Sequence, residues 1–275
     1  MQVLTGLLCS GFRCRTLTGG TLNEPDTKLG TLIVTGASRG IGAAIARLAG
    51  QRGYAVAVNF SSGETEAKKV VDEIATAGGR AFPIHADVSV EQQVVRMFEV
   101  AERELGPIKG LVNNAGVTGG FARVEDVSVA AIEKVFAVNV TGSIICAREA
   151  VRRMSTKRGG TGGAIVNISS RAVHTGAAGE WVHYAASKGA VNSFTVGLAR
   201  EVATEGIRVN AVSPGLISTE LHATAGAPDR MERLAPTIPM KRAGMAEEVA
   251  EGIVWLLSSA AAYVTGVILP ISGGR

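Results

Sequence analysis

The stretch Thr31–Gln51, TLIVTGASRGIGAAIARLAGQ, determines the fold of this chain. It opens with the apolar run Leu32–Val34, which is typical of a strand buried on both faces. Gly36, Gly40 and Gly42 follow, and an alanine-rich segment with helical spacing comes next. Glycines let the backbone turn tightly and approach a ligand, while the first N–H groups of a helix point toward an anion. Because strand, glycine turn and helix occur in this order, the stretch predicts a phosphate-binding turn rather than an ordinary glycine loop.

The composition favours a packed α/β interior. Of the 275 residues, 46% are hydrophobic, 4% are aromatic and 35 are glycine. The net charge of +4 comes from scattered basic residues, so we expect no nucleic-acid-binding surface. No apolar run approaches the ~20 residues that span a bilayer, and we therefore expect no membrane association.

The cysteines indicate a reducing compartment. Cys9, Cys14 and Cys146 are odd in number and lack the spacing of metal ligands. We therefore expect no disulfide, no metal site and a cytoplasmic location.

Residues 1–30 differ from the rest of the chain. They contain Arg13 and Arg15 but no acidic residue before Glu24. They lack the basic start and long apolar core of a secretory signal, and their amphipathic period is poor for a transit peptide. We expect a disordered extension, or an initiation site placed too far upstream, with residues 31–275 forming a single domain.

Apolar strands and amphipathic helices alternate through residues 31–275 without a linker or a repeat. This pattern predicts an α/β fold in which parallel strands are joined by helical crossovers, with helices on both faces of a doubly wound sheet of about seven strands. Ser89 and Gln92 have the spacing of a capping box and predict the start of the third helix. After Leu32–Val34, the strands are expected at Tyr54–Asn59, Ala81–His85, Ile108–Val112, Ala164–Ile168, Ile207–Val212 and Val267–Ile271.

Polar residues follow most of these strands directly. In doubly wound sheets, ligands bind outside the carboxyl ends of the strands, so these residues are expected to line one crevice. Each alone could be a turn-former, but six of the seven predicted strands end in this way. The residues are Thr35-Gly36, Asn59, Asp87, Asn113-Asn114, Ser169-Ser170 and Pro214-Gly215, the last followed by Thr219.

Tyr184 and Lys188 form a candidate general acid/base pair. At positions i and i+4 of a helix they share a face, which brings the ammonium near the phenol. A nearby positive charge lowers the pKa of a tyrosine from ~10 toward neutral pH. A surface Tyr–Lys pair is the common alternative, but Ser170 and the phosphate-binding turn precede this pair in the sequence.

Taken together, the patterns resemble the short-chain dehydrogenase/reductase family. The resemblance covers residues 31–275 and implies a Rossmann-type dinucleotide-binding domain. It rests on the order and approximate spacing of Thr35-Gly-Ala-Ser-Arg-Gly-Ile-Gly42, Asn113-Asn-Ala-Gly116, Asn139, Ser170, Tyr184-Ala-Ala-Ser-Lys188 and Pro214-Gly215.

The resemblance implies an oxidoreductase that transfers a hydride between nicotinamide and a carbonyl or secondary alcohol. Tyr184 is then the general acid/base, and Ser170 hydrogen-bonds the substrate oxygen. Lys188 holds the ribose hydroxyls and lowers the pKa of the tyrosine, while Asn139 holds a water in the proton relay.

The same resemblance implies the cofactor contacts. Asp87 meets the adenine and Thr219 meets the nicotinamide amide. The other implied contacts are Gly36, Ser38, Arg39, Gly40, Ile41, Gly42, Asn59, Val88, Asn113, Ala115, Gly116, Tyr184, Lys188, Pro214, Gly215 and Ile217.

Two departures from the family pattern are visible. The separation of Ser170 from Tyr184 is one residue longer than usual, which indicates an insertion in the loop Arg171–His183. Ser272 stands where the family often has an acidic residue before Gly-Gly, which affects local packing and no catalytic role.

NADP(H) is expected in preference to NAD(H). An acidic side chain at the end of the second strand would bind the ribose 2′-hydroxyl, but Asn59 is found there. Arg39 in the glycine turn can reach a 2′-phosphate. On this interpretation Asn59→Asp should shift preference toward NAD(H).

Two other functions are compatible with the scaffold. A nucleotide-sensing binding protein without turnover would be free to lose the serine, tyrosine or lysine, and this chain has all three. An extended relative with epimerase or dehydratase activity would need a substrate domain, for which the short C-terminal region leaves no room.

The substrate is expected to be a small or medium polar carbonyl compound, sugar-like or 3-oxo, rather than a polycyclic one. Trp181, His183 and the segment His222–Pro239 are predicted to line its pocket together with Ser170 and Tyr184. An acyl-carrier-protein substrate stays open, because Arg171, Arg230 and Arg233 could form a basic docking surface.

A homotetramer is expected from the family resemblance. Small residues on the helix after Tyr184 permit close helix contact, and Cys146 lies in the preceding apolar helix. These small residues are Ala185, Ala186, Gly189, Ala190, Ser193 and Gly197.

Overall fold

The apolar runs of the sequence become the strands of one parallel sheet. The computed structural model describes residues 29–219 and 229–275, and the seven strands in these ranges pair in the order β3-β2-β1-β4-β5-β6-β7. Every pairing of neighbours is parallel, which confirms the predicted doubly wound α/β sheet. The strands are β1 (Thr31–Val34), β2 (Ala55–Phe60), β3 (Arg80–His85), β4 (Ile108–Asn113), β5 (Gly163–Ile168), β6 (Ile207–Pro214) and β7 (Ile268–Ile271).

Helices cover both faces of the sheet. α1, α2 and α9 contribute to one apolar core, and α3, α5 and α7 contribute to the other. The helices are α1 (Gly40–Gln51), α2 (Glu64–Thr76), α3 (Glu91–Leu105), α4 (Val129–Phe136), α5 (Ser143–Met154), α6 (Ala172–Thr175), α7 (Val182–Val202), α8 (Arg230–Leu234) and α9 (Ala246–Leu257). The predicted extension, residues 1–30, lies outside the described ranges apart from Leu29 and Gly30.

The strand register aligns the carboxyl ends of the central strands. Asn113 of β4 pairs with Asn167 of β5, and Ile168 of β5 pairs with Val212 of β6. The residues that follow each strand therefore lie side by side at one edge of the sheet, where the sequence predicted a crevice.

The start of α3 differs from the prediction. The Ser89–Gln92 capping box is wrong, because α3 begins at Glu91 and its N-cap makes no side-chain hydrogen bond. The Ser89 hydroxyl instead donates to Asp87 Oδ1 at 2.7 Å, and the Ser89 N–H donates to the same oxygen at 2.9 Å. Asp87 thus organises a local turn that competes with the cap.

One long helical stretch connects β4 to β5. α4, a π-helical turn at Ala137–Gly142 and α5 run continuously from Val129 to Met154. In the described ranges this stretch alone is long and apolar enough to cross a membrane, with a mean hydropathy of 1.6. The sequence shows no uninterrupted apolar run here, because Glu133 and Lys134 break it. Cys146 and other α5 residues are buried against the sheet, but only 28% of the most apolar part of the stretch is buried inside this chain.

Candidate active site

The glycine turn after β1 is held close to the end of β4. Gly36 has a φ of 61°, and a Cβ at this position would lie 3.0 Å from Ala115 Cα. A Cβ on Gly42 would lie 2.3 Å from the Gly36 carbonyl oxygen. These contacts are backbone contacts that cannot move aside, so the turn requires glycine at both positions.

Thr35 and Asn114 hold this turn in place. Asn114 Nδ2 donates to the carbonyl oxygens of Thr35 and Gly36, both at 2.9 Å. The Thr35 hydroxyl accepts the N–H groups of Asn114 at 2.9 Å and Ala115 at 3.0 Å. Asn114 was not predicted as a cofactor contact, although it lines the cavity described below.

Asn113 was predicted as a cofactor contact and lies elsewhere. Its side chain is buried within the fold, where Nδ2 donates to the Ser143 carbonyl at 3.0 Å and to Asn167 Oδ1 at 2.9 Å. Successive strand residues face opposite sides, so only one of the two asparagines can turn toward a ligand.

Asn59 also has a structural role that the sequence did not reveal. Its Oδ1 accepts the Gly36 N–H at 3.1 Å, and its Nδ2 donates to the carbonyls of Ile84 and Ala86 at 3.2 and 3.0 Å. An aspartate could not make the two donations. The expectation that Asn59→Asp shifts cofactor preference is therefore corrected, because the change would first disrupt the turn.

A large cavity of about 1060 Å³ lies over the carboxyl ends of the strands. It runs from the glycine turn to the start of α7, and its volume is at the upper end of that of small-molecule sites. The predicted residues that line it are Gly36, Ser38, Arg39, Gly40, Ile41, Asn59, Asp87, Val88, Ala115, Gly116, Ser170, Trp181, Tyr184, Lys188, Pro214, Gly215, Ile217 and Thr219.

Four predicted site residues lie outside the cavity lining: Gly42, Asn113, Asn139 and His183. Gly42 serves the packing of the glycine turn. The buried His183 ring lies next to Gly119, because a Cβ built on Gly119 would lie 2.7 Å from His183 Nε2. Trp181, the residue before α7, packs edge-on against Tyr184 with 6.4 Å between the ring centres, whereas His183 is rotated about 100° from Tyr184 around the helix. The part of His222–Pro239 before Asp229 lies outside the described residues.

Ser170, Tyr184 and Lys188 meet at the cavity wall. Ser170 follows β5, and its hydroxyl lies close enough to the Tyr184 hydroxyl to act on the pKa of the phenol. Lys188 Nζ donates to the Ile168 carbonyl at 2.7 Å and lies 5.8 Å from the centre of the Tyr184 ring. The strand end and the helix thus place a hydroxyl, a phenol and an ammonium together.

Burial dominates the protonation of this group. It raises the pKa of Tyr184 above 10, although the Ser170 hydroxyl and the charge of Arg230 act in the opposite direction. It also lowers the pKa of Lys188 to about 8. The predicted lowering of the tyrosine pKa by Lys188 is therefore not observed in this structure, because loss of solvation outweighs nearby charge.

Asn139 lies in the π-helical turn, directly behind the cavity wall. Its Oδ1 accepts the Val117 N–H at 2.8 Å, and its Nδ2 donates to the Val117 carbonyl at 2.9 Å and to Ser187 Oγ at 3.0 Å. A Cβ on Gly116 would lie 3.3 Å from Asn139 Oδ1 and 3.5 Å from Lys188 Nζ. Asn139 thus ties α7 to the segment after β4 close to the lysine.

Charged residues lie beyond Tyr184, and one of them, Arg230, belongs to the segment His222–Pro239 that the sequence predicted to line the substrate pocket. Arg230 is buried at 7% exposure, and its Cζ lies 4.5 Å from the Trp181 ring centre. Its Nη2 donates to Glu180 Oε2 at 2.5 Å. A side chain this buried cannot belong to a protein-docking surface, so Arg230 is removed from the predicted basic surface of Arg171, Arg230 and Arg233. Arg275 also lines the cavity, and no local pattern marks it as a site residue.

A family model described as enoyl-(acyl carrier protein) reductase matches residues 36–275. The chain belongs to the short-chain dehydrogenase/reductase family. A solved dehydrogenase/reductase from Sinorhizobium meliloti 1021 is 34% identical, with a TM-score of 0.82 over 89% of this chain and 94% of that one.

Relatives in this family differ in their named activities. An uncharacterized oxidoreductase of Escherichia coli strain K12, YgfF, is 52% identical over 88% of this chain and 98% of its own length. Cis-4-hydroxycyclohexanecarboxylate dehydrogenase from Sinomonas cyclohexanicum is 40% identical over 88% of this chain and 94% of its own. A 3beta-hydroxysteroid dehydrogenase of Eggerthella lenta is 38% identical over 90% of this chain and 94% of its own length. Sequence identity therefore supports oxidoreductase activity without selecting a substrate.

Short-chain dehydrogenases/reductases use a nicotinamide cofactor, and the residues present fit one. The glycine turn at the N-terminus of α1 suits a diphosphate. Lys188, buried at the far wall, has one carbonyl partner in Ile168 and further N–H groups that can donate to ribose hydroxyls. The cavity spans both positions.

Proposed function

We propose that this protein is an NADP(H)-dependent reductase or dehydrogenase of carbonyl and secondary-alcohol compounds. The observation that carries the proposal is the meeting of Ser170, Tyr184 and Lys188 in the cavity that begins at the glycine turn. A nucleotide-binding protein without turnover has no need of these three groups in that arrangement, so catalysis is the better interpretation.

In this mechanism Tyr184 moves the proton and Ser170 positions the oxygen that receives it. The bound nicotinamide supplies or accepts the hydride. Burial keeps Tyr184 a neutral phenol in the free protein, the form that can donate a proton to a developing alkoxide. Lys188 is largely charged at neutral pH with its pKa at about 8, and it stabilises the phenolate that remains. Asn139 is a positioning residue that fixes α7 beside the lysine.

The preference for NADP(H) rests on the glycine-turn end of the cavity. A Cβ on Gly63 would lie 3.0 Å from Glu66 Oε2, 3.1 Å from Arg39 Nη2 and 3.5 Å from Ser38 Oγ, so the guanidinium and the Glu66 carboxylate both lie over the loop after β2. Ser61 and Ser62 in that loop are exposed and line the cavity. A 2′-phosphate between these groups would receive a charge-assisted hydrogen bond from Arg39, and for NADP(H) to be preferred this attraction must outweigh repulsion by the Glu66 carboxylate beside it.

The substrate class proposed from the sequence is a small or medium polar carbonyl compound. One relative is named for a hydroxycyclohexanecarboxylate and another for a steroid, so small polar and bulky substrates both occur at similar identity. Trp181 supports the smaller class, because its ring packs at 5.5 Å from Phe121 and 6.4 Å from Tyr184 and narrows this end of the cavity.

We also propose a cytoplasmic homotetramer that binds no membrane and no nucleic acid. Val129, Ile132 and Phe136 project from one face of α4, and each is at least 36% exposed. A second subunit would cover this apolar face. Cys146 takes no part in such an interface, because it is fully buried. Light scattering at micromolar concentration should give the mass of four chains, and a monomer would contradict the proposal.

Tyr184→Phe tests the catalytic proposal. Loss of the phenolic proton should lower kcat by about 10²–10⁴-fold, while NADPH affinity stays within about threefold. NADPH oxidation with a panel of carbonyl compounds measures the first quantity, and fluorescence titration measures the second. Tyr263→Phe is the matched control, because Tyr263 is fully exposed. Normal turnover by Tyr184→Phe would overturn the mechanism.

A further inference from the structure

The substrate end of the cavity carries more positive charge than the proposed reaction uses. Arg171, Arg230 and Arg275 all line this cavity. Among the described residues of the lining, Asp87 is the only acidic one, and it is bonded to Ser89 beyond the end of β3. Reduction of a carbonyl group requires a proton donor and a positioned oxygen, which Tyr184 and Ser170 provide. The arginines therefore point to recognition of another part of the substrate.

The guanidinium of Arg230 has a buried N–H group that lacks a hydrogen-bond acceptor. One nitrogen, Nη2, is bonded to Glu180, and the planar group lies over the Trp181 ring at 4.5 Å. Its Nε is buried and has no hydrogen-bond partner. A buried donor without an acceptor is unfavourable, so a ligand that supplies an oxygen at this place would be stabilised.

Glu180 does not neutralise the positive charge of the three cavity arginines. The same carboxylate is 3.5 Å from Arg233, which lies outside the cavity and is half exposed, so two arginines share one acid. Arg171 also has a buried Nε without a partner. The pKa of Arg275 is lowered by burial and further by the charges of Arg230 and Arg171, while Glu180 opposes the shift. Arg275 therefore lies close enough to Arg230 and Arg171 to be repelled by both, and a bound anion would relieve the repulsion.

We propose that the substrate is an oxo acid or hydroxy acid whose carboxylate binds the Arg230–Arg171 side of the cavity while its reacting oxygen lies at Ser170 and Tyr184. This inference rests on the proposed function. A guanidinium presents parallel N–H groups that match the two oxygens of a carboxylate. Trp181 contacts both Arg230 and Tyr184, with ring-centre distances of 4.5 Å to Arg230 Cζ and 6.4 Å to the Tyr184 ring. Arg230 and Tyr184 are thus neighbours of the same indole ring, and they are proposed to bind two different groups of one substrate, the carboxylate and the reacting oxygen.

The test compares acids with their own amides. 4-Oxopentanoate and 6-oxoheptanoate are assayed beside their primary amides at saturating NADPH. The wild-type protein should favour the better acid over its amide by about tenfold to a hundredfold in kcat/KM, mainly through KM, as expected for a hydrogen bond to a charged group. Arg230→Gln should lower kcat/KM for that acid at least tenfold more than for the amide.

Arg233→Gln is the matched control. Arg233 pairs with the same Glu180 but does not line the cavity, so its loss should leave the acid-to-amide ratio unchanged. Arg230→Lys keeps the charge and should restore part of the ratio. Thermal unfolding of each variant shows whether it is folded, and Arg171→Gln gives a second measurement if Arg230→Gln is not.

The outcomes separate this inference from the proposed function. Equal use of acids and amides by the wild type, or an equal loss for both in Arg230→Gln, would overturn the inference, and in the second case Arg230 merely holds α8 against Glu180. If neutral ketones are reduced and the acids are not, the inference fails and the proposed function stands. If no carbonyl compound is reduced, the proposed function fails, and calorimetric binding of acid against amide to the NADPH-bound wild type and Arg230→Gln still decides the inference.

Discussion

At the glycine-turn end of the cavity, neutral side chains hold the backbone in place through hydrogen bonds. Thr35, Asn59 and Asn114 each bond to main-chain atoms of neighbouring strand ends. At the opposite end, charged side chains from three distant segments meet: Glu180 before α7, Arg230 on α8 and Arg275 near the end of the chain. The first end is a rigid backbone cradle, and the second is a charged surface built from long side chains.

This difference shows where specificity can change within one fold. The cradle depends on contacts between backbones, so a substitution there disturbs the sheet edge itself. The charged end depends on side chains that can be replaced without moving a strand. A shared cofactor and diverse substrates among relatives are the expected result.

The largest effect in the cradle is expected from Gly42→Ala. The new Cβ would lie 2.3 Å from the Gly36 carbonyl and 2.5 Å from Asn114 Nδ2, so the turn would have to open. We expect a loss of about 1–3 kcal/mol in the free energy of unfolding and at least about a tenfold loss of NADPH affinity. Urea denaturation and fluorescence titration measure these quantities. Arg230→Gln, at the other end, should leave NADPH affinity nearly unchanged; an unchanged Gly42→Ala would remove the distinction between the two ends.

Ser61→Asp should reverse cofactor preference without unfolding the cradle. The exposed Ser61 lines the cavity in the loop over which Arg39 lies, so a carboxylate there would repel a 2′-phosphate and accept a 2′-hydroxyl. We expect the ratio of NADPH to NADH affinity to fall by about tenfold or more, as one close charge pair predicts.

Asn59→Asp is the contrasting variant, because it should lower the Tm instead. It would lose both donations to the Ile84 and Ala86 carbonyls and bury a charge against them. If Asn59→Asp changed preference at full stability, the structural role given to Asn59 would be wrong.

The smallest effect is a pH dependence that Lys188 imposes on stability. Its pKa in the folded protein is about 8, below the ordinary value of 10.5, so between these values the unfolded chain binds more protons. Stability therefore rises with pH through this window, by at most about 1.4 kcal/mol per pH unit from this one group. Lys188→Met should remove that rise. Urea midpoints of both proteins at pH 8 and 9.5 measure the difference, and parallel slopes would show that the buried amine does not titrate there.

Those parts of the site that depend on local sequence could be predicted. The turn Gly36–Gly42 follows its strand directly, and Tyr184 and Lys188 are one helical turn apart, so spacing alone placed them. Asn113, and not Asn114, was predicted as a cofactor contact, whereas in the structure Asn114 lines the cavity and Asn113 is buried. Side chains alternate along a strand, and the assembled sheet decides which of two neighbours faces the cavity. The prediction that Ser89 caps α3 was wrong because Asp87, two residues earlier, competes for the Ser89 hydroxyl.

The charged end could not be predicted, for a different physical reason. Arg230 lies on a five-residue helix with no pattern of its own, and its partner Glu180 is fifty residues away in sequence. Burial of such a pair is a property of the assembled fold. The pKa of Tyr184 also depends on burial, which outweighed the charge that spacing had suggested.

The π-helical turn at Ala137–Gly142 has a consequence for insertions and deletions. A π turn contains one residue more than an α turn. Deleting one residue here would give a straight helix, but it would rotate one half against the other by about 100°. Either Asn139 would leave Val117 and Ser187, or α5 would turn its buried face, including Cys146, away from the sheet. A change of even one residue in the length of this helix would therefore disrupt the structure, whereas the loops around the charged end can vary in length.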